Sequence, residues 1–102
     1  MIADIASRRA ELQDLCRRFG VRRLDLFGSA ARGDFDPARS DLDFLYEFEA
    51  KPPGGYADAF FELKEALELL FGRPVDLVAA AAIRNPYFRE SVEQTRAPLY
   101  EA

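Results

Sequence analysis

At 102 residues with 49% apolar content, the chain has the size of one compact domain, 1–102, that hides roughly 60–70% of its unfolded surface. Fourteen basic against 18 acidic residues give a net charge of -4, which argues against a broad basic face for gripping nucleic acid, so any bound anion is expected to be held locally. The single cysteine, Cys16, and the absence of histidine exclude an internal disulfide, zinc sites of Cys/His type and histidine-based acid–base catalysis. Twelve of the fourteen basic residues are arginine, either a compositional bias or a supply of side chains shaped for bidentate contact with phosphate or carboxylate. No apolar run approaches the ~20 residues of a membrane span, and an N-terminus carrying Asp4 does not read as a signal peptide, so a cytoplasmic protein is expected.

In chain order the pattern alternates helix and strand. Ile2, Ile5, Leu12, Leu15, Cys16 and Phe19 fall on one helical stripe that ends at Gly20. "VRRLDLF" then alternates as a short strand with Leu24 and Leu26 on one face. After a Gly28-Ser29 pair and a linker rich in small and polar residues, a second strand runs from Asp41 to Phe48. Leu42, Phe44, Tyr46 and Phe48 share one of its faces; Asp41, Asp43, Leu45 and Glu47 share the other. "KPPGG" breaks the chain, and Tyr56, Phe60, Leu63, Leu67, Leu70 and Phe71 recur at helical spacing up to Gly72. "RPVDLVAA" reads as a third strand, Asp76 pointing opposite to Val75 and Leu77. Asn85-Pro86 reads as an N-cap and first helical position of a last helix, after which "PLYE" adds an edge strand. The layout is α/β (α+β): a small mixed sheet of three to four strands with helices packed on it.

Three aspartates and a Gly-Ser pair carry the chemistry in this pattern. Alternate residues of a strand stand on one face about 6.6 Å apart, so the carboxylates of Asp41 and Asp43 can converge on one point. Clustered there they repel and lose hydration, which calls for a compensating cation; magnesium, which prefers hard oxygen ligands and is shared with substrate phosphates, suits them. If the third strand lies beside the second, Asp76 completes a three-carboxylate cluster able to hold two ions about 3.5–4 Å apart. Gly28 lets the backbone approach a ligand closely, and Ser29, opening a helix, offers a hydroxyl and amides to a phosphate tail. Arg32, one turn into that helix, either reaches a phosphate or solvates the surface, and Ser40 caps the turn into Asp41.

The stretch "FGSAARGDFDPARSDLDFLYEF" resembles the signature of the polymerase-beta-like nucleotidyltransferase superfamily, in particular its minimal branch. "GRPVDLV" resembles that branch's third-carboxylate strand, and "RNPYFRESV" its C-terminal helix, so the resemblance covers nearly the whole chain. It implies that Gly28 and Ser29 hold the triphosphate, that Asp41, Asp43 and Asp76 are the metal ligands and catalytic carboxylates, and that Asp76 activates the attacking hydroxyl. It further implies a Mg²⁺-dependent enzyme (Mn²⁺ shares the ligands) that moves AMP from ATP onto a tyrosine of a partner HEPN ribonuclease toxin, and so acts as antitoxin of a toxin–antitoxin pair. Other readings stay open: a non-catalytic binding antitoxin, a small-molecule or antibiotic nucleotidyltransferase, and, least of all, a template-directed polymerase. The last segment sets Tyr87, Phe88 and Tyr100 beside Arg84, Arg89 and Arg96, a mixture typical of interface anchors or of a helix packing its aromatics on the sheet.

Overall fold

A computed structural model describes residue 5 and residues 7–28, 31, 42–49 and 54–102. Helix α1 spans Arg9–Arg18, with Glu11 in its first turn and Arg17 and Arg18 in its last, charges that complement the helix dipole. Gly20, at φ +71°, turns the chain out of the helix into strand β1, Val21–Phe27. Strand β2 spans Leu42–Phe48 and helix α2 Tyr56–Phe71. Gly72 closes α2 in the left-handed conformation, its N–H donating to the Glu68 carbonyl at 2.8 Å. The Glu68 side chain then accepts the Val75 N–H at 3.1 Å, which ties the end of α2 to the start of strand β3, Val75–Ala79. A short 3₁₀ turn, Ala80–Ala82, leads to helix α3, Pro86–Thr95, and to strand β4, Ala97–Glu101. Asn85 caps α3 as its position before proline suggests, accepting from the N–H groups of Tyr87 and Phe88 at 2.9 and 3.2 Å.

The four strands form one mixed sheet in the order β3-β2-β1-β4. β1 is antiparallel to both neighbours, whereas β2 and β3 run parallel with α2 as the connection between them. The "PLYE" segment is the edge strand the sequence suggested, and the third strand does lie beside the second.

Each face of the sheet buries a different set of side chains. Leu24, Leu26, Leu42, Phe44, Val75 and Leu77 meet Leu12 and Cys16 of α1 and Leu63 and Leu67 of α2 in the main core. The other face carries a smaller cluster of Phe27, Leu45 and Ile83 under Val92 of α3. β1 is therefore covered on both sides, and its alternation is not apolar-in, polar-out: Asp25 is only 1% exposed. Among the described residues no helix is long and apolar enough to cross a membrane.

Candidate active site

The parallel register of β2 and β3 places Asp43 opposite Asp76. The residues flanking each aspartate, Leu42 and Phe44 in one strand and Val75 and Leu77 in the other, enter the main core, so both carboxylates stand on the α3 side of the sheet. Adjacent strands lie about 4.8 Å apart, which brings paired side chains within reach of a common ligand. On the far side of β2, antiparallel pairing sets Phe27 opposite Asp43, so the C-terminal end of β1 meets the N-terminal ends of β2 and β3.

Gly28 follows directly, at φ +75°, a conformation that favours glycine. A Cβ at this position would collide with Oδ2 of Asp43 and sit 3.3 Å from its Cγ. The close approach that glycine permits here is thus to the Asp43 carboxylate itself. Both backbone groups of Gly28 are engaged: its N–H donates to Oγ1 of Thr95 at 3.4 Å, and its carbonyl accepts from the Ala31 N–H at 3.1 Å. Of the residues singled out in the sequence, Gly28, Asp43 and Asp76 come together; Ser29, Asp41, Arg32 and Ser40 lie outside the described residues.

Two carboxylates on paired positions put two like charges on one face of the sheet, where a bound cation is attracted by both. An all-oxygen donor set, a half-buried Asp43 and an exposed Asp76 suit a hard divalent cation that keeps some of its own water or phosphate ligands. Among the described residues no group of three or more potential metal ligands forms. A cavity of about 570 Å³ lies away from the pair, between α1 and α2, lined by Arg8, Glu11, Leu15 and Leu69 among others.

Pattern reading missed a second polar cluster on the same face of the sheet. Buried Asp25 accepts from Nε of Arg96 at 2.7 Å, with Nη2 of Arg96 at 2.5 Å and Nη2 of Arg23 at 3.3 Å. Burial works against the Arg96 charge, but Asp25 and Glu93 outweigh it and hold the guanidinium above its ordinary pKa. The only sign in the sequence was an acidic residue in mid-strand, which alternation alone assigns to solvent. The aromatic and arginine-rich last segment accordingly divides. Arg96 is committed to Asp25, and Tyr100 packs beside the main core. Tyr87 is 82% exposed, and Phe88, 41% exposed, meets Phe27 edge-on at 6.0 Å between ring centres.

A glycine turn and two acidic residues in register thus meet at one end of a mixed α/β sheet. The nucleotidyltransferase domain family matches residues 9–98, and the chain belongs to it. A candidate protein adenylyltransferase of Methanocaldococcus jannaschii is 39% identical over 93 residues, covering 83% of this chain and 91% of that one. The protein adenylyltransferase MntA of Thermococcus cleftensis is 41% identical over 76 residues, 74% of this chain and 73% of its own length. Among solved structures, one described as a minimal nucleotidyltransferase aligns with a TM-score of 0.75 at 39% identity, covering 93% of this chain and 92% of that one. A chain from the complex of a tri-AMPylated Shewanella oneidensis HEPN toxin with an MNT antitoxin aligns over 96% of this chain and 73% of its own. Its TM-score is 0.64, and at 18% identity it speaks for the fold. The chain is a nucleotidyltransferase of the minimal type.

Proposed function

We propose that this chain, acting as a single domain in the cytoplasm, transfers AMP from ATP to a tyrosine hydroxyl of a HEPN ribonuclease toxin and is thereby its antitoxin. The observation that carries this reading is the register of Asp43 against Asp76 beside the Gly28 turn. The protein adenylyltransferase names of relatives up to 41% identical support AMP as the group moved, and the HEPN–MNT complex of like fold supports the partner.

In this reading Asp41, Asp43 and Asp76 hold Mg²⁺, with Mn²⁺ able to take the same oxygen ligands. Bound there, the metal would neutralise the phosphates and stabilise the departing pyrophosphate. Asp76, the exposed member of the pair, accepts the proton of the attacking hydroxyl, as a general base must lie within hydrogen-bond reach of the proton it takes. Ser29 donates its hydroxyl to a phosphate oxygen, and Gly28 keeps the turn close against Asp43 without a clash. Alignment of the hydroxyl with the α-phosphorus falls to the acceptor's own surface, and positioning of this kind commonly supplies several kcal/mol of barrier lowering. Tyr87 and Phe88 supply the docking contact: Phe88 touches Phe27, whose strand partner is Asp43.

Intact mass spectrometry of the co-encoded protein after incubation with the chain, ATP and Mg²⁺ tests the proposal. Added AMP that disappears with Asp43→Asn is the expected result. Equal transfer to free small molecules, with no gain from the protein, would replace the HEPN reading with that of a small-molecule enzyme.

A further inference from the structure

Thr95, the last residue of α3, is far from Gly28 in sequence yet shares a hydrogen bond with it. Its hydroxyl donates to the Ser91 carbonyl at 3.0 Å, which turns a lone pair toward the Gly28 N–H, 3.4 Å away. The next residue, Arg96, is fixed by Asp25, two residues before Phe27 in β1. Phe88 and Val92, on the same side of α3 as Thr95, pack against the sheet at Phe27 and its neighbours. Phe88, Val92, Thr95 and Arg96 therefore hold α3 and its C-terminal end to β1 and the residue after it, and Thr95 is the one that reaches the turn. Gly28 in turn forms the wall against which the Asp43 carboxylate lies.

We propose that Thr95 is a positioning residue for the acidic site: by holding the Gly28 amide it fixes the turn that sets the Asp43 carboxylate opposite Asp76. The proposal rests on the reading of Asp43 and Asp76 as metal ligands. A hydroxyl of this kind acts as an outer-layer support, whose loss loosens a ligand while leaving it in place. Valine is the fitting probe, since it keeps the β-branched shape at a helix end and removes the hydroxyl; serine restores it.

Two measurements on Thr95→Val, Thr95→Ser and the wild type decide the matter. The first is the exchange rate of the Gly28 amide hydrogen, which depends on neither metal nor substrate. The second is Mn²⁺ affinity, with Mn²⁺ alone as the probe. Thr95→Val should speed Gly28 exchange and weaken Mn²⁺ binding by about tenfold, in line with the lower end of what outer-layer partners contribute, and Thr95→Ser should restore both. Leu12→Ala, in the main core on the opposite face of the sheet, should lower the melting temperature and leave Mn²⁺ affinity as in the wild type. Unchanged Gly28 exchange in Thr95→Val, or Mn²⁺ affinity that follows melting temperature across all variants, would overturn the proposal. Failure of the nucleotidyltransfer reading would look different: the wild type would show no ATP-dependent transfer even with Gly28 exchange responding to Thr95.

Discussion

Gly28 illustrates how one residue can answer to two constraints at once. Its positive φ excludes most side chains, and the Asp43 carboxylate occupies the space a Cβ would need. Gly28→Ala is expected to cost about 1 kcal/mol in stability from the backbone conformation, and far more in activity, because the methyl group displaces Asp43. A thermal melt and an AMP-transfer assay on the same sample separate the two effects. Asp25 is the opposite case, a charge whose value is structural. Removing its carboxylate in Asp25→Ala leaves Arg96 partly buried with Glu93 as its remaining partner, so a loss of about 3 kcal/mol is expected in urea unfolding. Cys16 is inert for a third reason: burial in the main core pushes its thiol pKa up to about 12. Since the thiolate is the reactive form, a thiol reagent at neutral pH should modify Cys16 only as fast as the protein unfolds.

At the scale of elements, how legible each part was in the sequence depended on how local its cause is. β2 was readable because strict alternation over Leu42, Phe44, Tyr46 and Phe48 reports one buried face directly. α2 and α3 were readable because Gly72 and the Asn85-Pro86 pair are local stop and start signals. Asn85→Ala should therefore destabilise by about 1 kcal/mol, read from the shift in unfolding midpoint, as two amide donors lose their acceptor. β1 was harder. In a central strand covered on both faces the alternate side is buried too, and Asp25 finds Arg96 only through a fold that brings together residues 71 apart in sequence. The candidate site was legible in its residue types and spacing, while the pairing of Asp43 with Asp76 depended on strand order, which no single stretch of sequence encodes. Thr95 lay beyond reach for the same reason, since an isolated threonine at a helix end gives no hint of a glycine 67 residues away.

For the whole molecule, the mixed sheet divides labour between its faces. The α1–α2 side buries the main core and supplies most of the apolar burial that holds so short a chain together. The other side is only partly covered by α3, which leaves the acidic end of β2 and β3 accessible beside an exposed aromatic pair. A protein built this way should lose function when the acidic pair is neutralised, because the two carboxylates stand at one accessible end of the sheet. The central claim is that Asp43 and Asp76 act as one site, and a double-mutant cycle on AMP transfer with Asp43→Asn, Asp76→Asn and the combined variant tests it most directly. Each single change should abolish most of the transfer, and the double variant should be hardly worse than either. Transfer rates close to the wild type in either single variant, or losses that simply multiply in the double, would contradict the account.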